Sequence, residues 1–210
     1  MSLLSFLGLL AGAGFGYLMG SCPTGYLLVK WQKRQDIREF GSGNIGATNV
    51  SRVLGRKWAV FTAVFDMSKG GVAVLIVMLL GATNPWIPAF TGLASIIGHD
   101  YPVWLNFRGG KGVATAFGVF GCYDFLNPLP AIIGGVVWFA VREKWGYVSL
   151  GSMTGLLVAA LAMPAFRMDR AYYICALAAV ALTVWRHREN IARLLAGTES
   201  HRARAADSSS

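Results

Sequence analysis

The sequence predicts an all-α, polytopic membrane protein, a bundle of seven transmembrane helices with short spans and glycine-rich cytoplasmic motif loops. Composition is the first reason: 55% of the 210 residues are hydrophobic and only 14% are charged, whereas about a quarter of the residues in a soluble domain are charged. The second reason is that the apolar residues form long runs between polar segments. The third is that the basic residues concentrate in alternate polar segments, as they do in membrane proteins.

Seven apolar runs are counted as spans, because about 20 helical residues cross the hydrocarbon core and shorter helices suffice within a bundle. The predicted spans cover residues 3–28, 58–80, 86–107, 113–126, 129–141, 147–166 and 172–185. The fourth, fifth and seventh are short, and a re-entrant segment is an open alternative for one of them. In the first span, glycines at positions 8, 12, 16 and 20 predict a surface for close helix packing.

The chain is expected to form one domain over residues 1–200, with a disordered polar tail over 201–210, because no linker rich in Pro or Ser divides it. Sixteen of its 19 basic residues lie on the side of the predicted bundle that holds the C-terminus. Lys69 lies within the second span, and only Arg167 and Arg170 lie opposite. Because basic loops stay in the cytoplasm, we expect an outside N-terminus and a cytoplasmic C-terminus. The net charge of +9 then reflects topology and an anionic substrate, with no nucleic-acid partner.

A first glycine motif follows the first span. Its residues are Gly41, Ser42, Gly43, Asn44, Ile45, Gly46, Ala47, Thr48 and Asn49. Its three glycines permit tight or left-handed backbone, so successive N–H groups can form a nest for an anion. The hydroxyls of Ser42 and Thr48 add donors, and Arg52 adds a planar fork suited to phosphate. Phosphate binding and a loop that merely separates two helices are equal alternatives at this stage.

A second glycine motif spans residues 98–115, GHDYPVWLNFRGGKGVAT. Its core is Gly109, Gly110, Lys111 and Gly112, which permits close approach of an anion and adds the charge of Lys111. It is not a P-loop, because glycine stands where the magnesium-binding hydroxyl would follow the lysine. An ordinary basic loop at a membrane surface is the alternative.

Three further polar features lie in or beside the spans. Ser149 and Ser152 open the sixth span, where helix capping is the alternative function. His187 and Asn190 stand three residues apart on one helical face, within what is otherwise a basic juxtamembrane segment. Asp66 and Lys69 stand three apart inside the second span and form either a structural ion pair or part of an active site.

Several kinds of chemistry are not supported by the sequence. None of the three histidines is followed by an aspartate five residues later, so the His–Asp general base of the common glycerolipid acyltransferases is missing. No HExxH motif or Cys/His metal set is present, and we expect no metal and no cofactor. A site rich in cations, amides and hydroxyls suits the binding of two anionic groups, with catalysis by positioning and charge stabilisation.

These motifs resemble those of the PlsY family, bacterial membrane enzymes that acylate glycerol 3-phosphate with an acyl phosphate donor. The resemblance is carried by residues 20–26, 36–38, 41–49, 98–115, 149–152 and 186–190. It implies lysophosphatidic acid and inorganic phosphate as products, in the first step of phospholipid biosynthesis. It also implies a multi-pass protein of the bacterial inner membrane with a cytoplasmic active site, independence from coenzyme A, and a partner acyltransferase that makes the acyl phosphate.

The resemblance also implies residue roles. The phosphate of glycerol 3-phosphate would be held by Arg52, Lys111, His187 and Asn190. The acyl phosphate would be held by Ser42, Gly43, Thr48 and either Ser149 or Ser152, with Asn44 and Asn49 nearby. Gly41, Gly46, Gly109, Gly110 and Gly112 would line the substrate, and His99 would shape the second motif. The catalytic residues would be Ser42, Arg52, Lys111, His187 and Asn190.

The mechanism that follows needs no general base from the protein. The 1-hydroxyl of glycerol 3-phosphate attacks the acyl carbonyl, and the departing phosphate takes the hydroxyl proton. The alternative from another class is a membrane transporter for an organic phosphate, since charged residues inside spans and glycine-broken helices occur in transporters as well.

Overall fold

The structure is a computed structural model that describes residues 3–124 and 127–201, and within these residues all regular structure is helical. Three short 3-10 helices cover Ile37–Glu39, Val103–Leu105 and Met163–Phe166. The α-helices are α1 (Leu3–Gly20), α2 (Thr24–Lys33), α3 (Ala47–Leu54), α4 (Arg56–Leu79), α5 (Trp86–Asp100), α6 (Val113–Tyr123), α7 (Leu129–Trp145), α8 (Val148–Ala162), α9 (Arg170–Arg186) and α10 (Arg188–Leu195).

Two predicted spans are shorter than expected. The first, predicted to reach residue 28, ends at Gly20, and α2 begins at Thr24 after a break. Pro23 explains the break, because it lacks an N–H and disfavours helical backbone at the residue before it. The third, predicted to reach residue 107, ends at Asp100 for the same reason, since Pro102 follows.

Most other predicted bounds agree with the structure to within a few residues, but α7 continues to Trp145, beyond the predicted end at 141. Two short helices lie outside the predicted spans. Helix α3, which directly follows a glycine-rich loop, was not predicted, whereas α10 contains Asn190, which was predicted to share a helical face with His187. The predicted end of the fourth span at 126 and residues 202–210 of the predicted tail lie outside the described residues. His201, the first residue of that tail, packs edge-on against Tyr147 with 5.3 Å between ring centroids.

The glycine repeat of α1 packs on α5, as predicted. A Cβ placed on Gly16 would lie 2.1 Å from the Thr91 carbonyl oxygen, and one on Gly20 would lie 1.9 Å from that of Ser95. No side chain larger than hydrogen fits at such distances, so the two backbones touch. Contacts advance in the same direction along both helices, which shows that α1 and α5 run parallel.

Helices α7 and α8 form an antiparallel pair that also meets at glycines. Gly134 faces Ala159, and Gly155 faces Trp138. The main core lies beside this pair, where α4, α5, α6, α8 and α9 bury Val74, Ile96, Val119, Phe120, Leu156 and Val180.

The outer surface of the bundle is apolar, with side chains such as Leu4, Val64 and Val136 more than half exposed. In the described part of the chain, three helical stretches are by length and composition able to cross a membrane: Leu3–Lys33, which contains α1 and α2, Arg56–Leu79 and Val148–Phe166. Val113–Tyr123 is a shorter apolar helix. The count of seven spans therefore stays a prediction.

Candidate functional site

Asn49 organises the first glycine motif. Its side chain is 1% exposed, and Nδ2 donates to the carbonyl oxygens of Ile37, Phe40 and Asn44 over 2.9–3.2 Å. Its Oδ1 accepts from the Ser42 N–H over 3.0 Å. Since the amide is saturated by the loop itself, Asn49 shapes the motif and has no free donor for a substrate.

The loop uses several of the N–H groups from which an anion nest was expected. Gly41 and Gly43 adopt φ values of +58° and +67°, a region that favours glycine. The N–H of Gly43 donates to the Phe40 carbonyl, and that of Gly46 donates to Asn44 Oδ1. The groups that face outward are instead the exposed side chains, namely those of Ser42, Thr48 and Arg52.

The second glycine motif folds back on the end of α5. The N–H of Gly109 donates to the Asp100 carbonyl over 3.2 Å, and that of Gly110 donates to the His99 carbonyl over 2.9 Å. The Arg186 guanidinium donates to the carbonyls of both glycines over 2.7–3.2 Å and lies over the Tyr101 ring. The peptide groups of these two glycines are thus engaged within the protein, and their predicted role toward a substrate stays a prediction.

Asp100 ends α5, and its side chain lies next to the start of the following helix, α6. Both of its carboxylate oxygens are buried and have no hydrogen-bond partner among the described residues. Oδ1 lies 3.0 Å from the position of a Cβ on Gly112, the N-cap of α6. The Asp100 side chain thus occupies the N-terminus of α6, where the helix dipole would otherwise favour a bound anion. Lys111 is therefore a better candidate than this helix N-terminus for binding an anion.

Lys111 connects this motif to the C-terminal segment. Lys111 Nζ donates to Asn190 Oδ1, and Asn190 Nδ2 donates to Glu199 Oε1 over 2.6 Å. Ser149 Oγ donates to the same oxygen over 2.8 Å, and Arg193 Nε donates to Oε2 over 2.8 Å. We call these five residues the Glu199 cluster. Burial raises the pKa of Glu199, but the hydrogen bonds from Asn190, Arg193 and Ser149 outweigh it, so the net pKa is lowered and the carboxylate is charged at neutral pH.

His187 ends α9 beside this cluster and is 4% exposed. Its Nδ1 lies 2.8 Å from the Thr183 carbonyl oxygen. A carbonyl only accepts, so Nδ1 carries a proton. Burial lowers the pKa of His187 to about 4, so the ring is neutral at pH 7 and Nε2 carries a lone pair.

The structure separates the two serines that the sequence could not. Ser149 belongs to the Glu199 cluster, whereas Ser152 donates to the Val148 carbonyl over 2.8 Å and accepts from Trp138 Nε1 over 3.3 Å. Ser152 therefore joins α7 to α8, and Ser149 is the serine at the candidate site.

Arg38, three residues before the first motif, connects this part of the chain to the second motif. Its guanidinium forms a bidentate pair with Asp36, as close as 2.6 Å, and donates to the Leu105 carbonyl over 3.2 Å. The hydrogen bonds from Arg38 hold the pKa of Asp36 below its usual range. Beneath this pair, Leu105 packs with Ile37 and neighbouring apolar side chains.

Of the predicted site residues, the structure brings Lys111, Asn190 and Ser149 into one hydrogen-bonded cluster. Within the described residues, no hydrogen bond joins Ser42 or Arg52 to that cluster. Glu199 was not predicted as a site residue, and Arg186 was given no role of its own. A lone acidic residue at the end of a basic segment was the available signal for Glu199.

An apolar groove opens between α1 and α4 near the polar end of the bundle. It is lined by Phe15, Leu18, Met19, Cys22, Phe65 and Lys69. Among these lining residues Lys69 carries the charge, and it lies at the inner end of the groove, buried against Asp66.

Fold and site together define an all-α integral membrane protein with a cation-rich polar site at one end of its helices. The sequence profile described as glycerol-3-phosphate acyltransferase matches residues 10–197. The chain therefore belongs to the glycerol-3-phosphate acyltransferase family, as the resemblance predicted.

Individual relatives agree with this assignment. The glycerol-3-phosphate acyltransferase of Shouchella clausii is 44% identical over 197 residues, covering 91% of this chain and 95% of its own. That of Aquifex aeolicus is 43% identical over 185 residues, covering 88% of this chain and 94% of its own.

A solved structure shows the same fold. The crystal structure of PlsY, an integral membrane glycerol 3-phosphate acyltransferase in its glycerol 3-phosphate form, superposes with a TM-score of 0.86 at 40% identity and covers 92% of this chain and 94% of that chain. Its lysophosphatidic acid form gives a TM-score of 0.84 at 39% identity with the same coverage. The predicted all-α membrane fold is confirmed.

Proposed function

We propose that this protein transfers an acyl group from acyl phosphate to the 1-hydroxyl of sn-glycerol 3-phosphate. The bond between the acyl carbon and the phosphate oxygen breaks, and an ester bond to the glycerol oxygen forms. The products are lysophosphatidic acid and inorganic phosphate, with no coenzyme A and no metal. The names of the relatives support the acceptor, and the resemblance of the motifs to the PlsY family supports the donor.

The observation that carries this proposal is the Glu199 cluster. Glu199 orients Ser149 and Asn190, and Asn190 in turn holds the Lys111 ammonium. Burial lowers the pKa of Lys111, and a partly desolvated cation interacts more strongly with a phosphate than one in water does. Lys111 and Asn190 are proposed to hold the phosphate of glycerol 3-phosphate, with Arg52 from the first motif.

The exposed hydroxyls of the first motif are proposed to hold the other phosphate. Ser42 and Thr48 lie on the surface of a loop whose shape Asn49 fixes. Ser149 is proposed to support this site through Glu199, to which it donates its single hydroxyl proton. Such preorganised donors stabilise the charge on a leaving phosphate without reorganising during the reaction.

His187 is proposed to contact a hydroxyl and not, as first predicted, a phosphate oxygen. Its free Nε2 is a lone-pair acceptor, which suits an O–H of glycerol 3-phosphate. With a pKa of about 4 the imidazole is a weak base at pH 7, and efficient general bases have pKa values near the working pH. The proton therefore passes to the departing phosphate, which becomes inorganic phosphate, while His187 orients the nucleophile.

The groove between α1 and α4 is proposed to hold the acyl chain of the donor. Its lining is apolar apart from Lys69, and an acyl chain gains about 0.8 kcal/mol for each CH₂ that leaves water. An acyl phosphate also reaches the enzyme from the bilayer, and we expect the outer faces of α1 and α4 to contact the lipid.

The remaining proposals concern placement. We propose a single domain over residues 1–200 with seven spans in the bacterial inner membrane, the N-terminus outside and the site and C-terminus in the cytoplasm. The concentration of basic residues on one side supports this orientation. An acyltransferase that makes acyl phosphate is the proposed partner.

The test uses detergent-purified protein with glycerol 3-phosphate and palmitoyl phosphate, and palmitoyl coenzyme A as the parallel donor. We expect equal amounts of phosphate and lysophosphatidic acid from acyl phosphate alone. Transfer from the coenzyme A donor only would overturn the proposed donor. Uptake of labelled glycerol 3-phosphate into liposomes without transfer would favour the transporter alternative.

A further inference from the structure

A buried ion pair lies next to the second glycine motif and has no part in the reaction described above. Lys69 and Asp66 on α4 have side chains only 2–3% exposed, with 2.8 Å between Nζ and Oδ1. Lys69 Nζ also donates to the Cys22 carbonyl over 2.8 Å and lies 3.0 Å from His99 Nδ1. Thr24 Oγ1 donates to Asp66 Oδ1 over 3.1 Å. The pair thus joins α4 to the break between α1 and α2 and to the end of α5.

The contacts of Lys69 determine which ring nitrogen of His99 carries the proton. An ammonium has three donors and no acceptor, and its three partners here are Asp66 Oδ1, the Cys22 carbonyl and His99 Nδ1. Nδ1 must therefore accept, because a proton on it would point at the ammonium. Asp66 Oδ1 is 3.8 Å from Nδ1, beyond hydrogen-bond distance, so it does not compete. The neutral ring carries its proton on Nε2.

The other edge of the ring supports the loop. A Cβ on Gly110 would lie 1.9 Å from His99 Nε2, so the imidazole occupies the space next to Gly110 where a side chain would be. The Gly110 N–H donates to the His99 carbonyl, and Arg186 holds the Gly110 carbonyl from the opposite side. The residue that follows is Lys111.

We propose that Asp66 and Lys69 are positioning residues for the substrate loop: they keep the proton of the buried His99 ring on Nε2, and the ring sets the position of Gly110 and hence of Lys111. The effect on the reaction rests on the proposed function, in which Lys111 binds the phosphate of glycerol 3-phosphate. The state of the His99 ring does not rest on it. The charged groups that face the ring are Lys69 and Asp66 from α4 and Arg186 from α9, with Asp100 next to it on α5.

The test compares Lys69→Met with the double variant Asp66→Asn, Lys69→Met, which leaves no unpaired buried charge and is expected to fold even if the single variant does not. Lys57→Met is the control, because this lysine is exposed on the same helix. Nitrogen-15 spectra of histidine-labelled protein in micelles report which ring nitrogen is protonated. Steady-state kinetics report KM for glycerol 3-phosphate and for the acyl donor separately.

In the wild-type protein we expect His99 to show a protonated Nε2 and a bare Nδ1 across pH 6–8. In the double variant no ammonium faces Nδ1, so we expect the neutral ring to populate both tautomers, with part of the protein carrying the proton on Nδ1. KM for glycerol 3-phosphate should rise about tenfold, with a smaller change in kcat and in KM for the donor. The Lys57 variant should match the wild type.

A double variant with the wild-type ring state would overturn the proposal, and so would a changed ring state with an unchanged KM for glycerol 3-phosphate. If the proposed reaction is itself wrong, no variant transfers acyl groups, yet the spectra still test whether Lys69 sets the His99 ring. The two failures are therefore distinguishable.

Discussion

Two histidines at the polar end of this bundle were predicted as site residues, and the structure gives them opposite chemistry. Both are almost completely buried, at 5% exposure for His99 and 4% for His187. His99 Nδ1 faces the Lys69 ammonium and must accept, whereas His187 Nδ1 faces the Thr183 carbonyl and must donate. The free nitrogen is consequently a donor in His99 and an acceptor in His187.

The comparison shows that the partner of one ring nitrogen decides what the other can do. The His99 region is built on a charged network inside the helices and supports backbone. In the His187 region, the ring is held by the Thr183 carbonyl and lies beside the Glu199 cluster, and its Nε2 stays free to contact a substrate. Variants that disturb the two regions should therefore fail in different ways.

The largest effect is expected from Gly110→Ala in the His99 region. The new Cβ would lie 1.9 Å from a ring whose other nitrogen is fixed by Lys69, so either ring or loop must move. We expect a loss of about 3 kcal/mol in the free energy of unfolding, at the upper end for overpacking, together with a loss of activity of at least about a hundredfold, because Lys111 moves with the loop. Thermal unfolding in detergent and the acyl transfer assay measure both.

Gly43→Ala is the matched control in the first motif. Gly43 has a φ of +67°, and the nearest atom to its Cβ position is the Arg38 carbonyl oxygen at 3.3 Å. Backbone strain of about 1–2 kcal/mol is then the main cost. Equal losses of unfolding free energy from both alanines would show that the His99 ring moves aside, contrary to the rigid support inferred above. Activity is not part of this comparison, because Gly43 is itself predicted to contact the acyl phosphate.

Features that depend on residues close together in the sequence were easier to predict than contacts between distant parts of the chain. The glycines at positions 8–20 predicted close packing correctly, because a four-residue period places them on one helix face whatever the partner is. The break at Pro23 could also have been predicted, but the apolar residues on both sides were read as one span. Helix α3 was not predicted because the helix propensity of its residues is weak and its stability comes from the burial of Val50.

The site was predictable as a set of residues but not as a network. Lys111, Asn190 and Ser149 were all expected near a substrate, and the structure joins them through Glu199. That link depends on how α8 packs against the segment after α10, which no local pattern encodes. The ring states of the two histidines depend on single contacts of about 3 Å and could not be derived from the sequence.

Lys111→Ala should have the next largest effect, and it acts on the His187 side of the comparison. Loss of one charge-assisted contact to phosphate costs about 1.5–3 kcal/mol, which corresponds to roughly ten- to a hundredfold in kcat/KM for glycerol 3-phosphate. Lys144→Ala is the control, since this lysine is exposed and lies over Trp145. Near-native kinetics for the Lys111 variant would contradict the assigned site.

Glu199→Gln should have a smaller effect. The glutamine side chain has one accepting oxygen and one NH₂ group in place of two accepting oxygens. The NH₂ group faces a cluster residue that also donates, so one of the three hydrogen bonds to residue 199 is lost. We expect a decrease of about 1–2 kcal/mol in stability and a several-fold loss of activity, measured by thermal unfolding and the transfer assay. Glu189→Gln, an exposed residue of α10, should leave both unchanged, and a matching loss there would mean that the effect of Glu199 is only one of net charge.

The effect that is smallest at neutral pH is a dependence of stability on pH that belongs to His187. Burial lowers its pKa from 6.5 to about 4 in the folded protein, so between these values the unfolded chain binds a proton that the folded chain does not. The contribution of His187 is complete above pH 6.5 and is lost as the pH falls toward 4, at no more than about 1.4 kcal/mol per pH unit. Thermal unfolding from pH 7.5 to 4.5 should show this slope. His187→Asn, whose amide can still donate to the Thr183 carbonyl, should reduce the slope by the share of His187. An unchanged slope in that variant would mean that the folded and unfolded chains protonate His187 equally, contrary to the neutral buried ring described above.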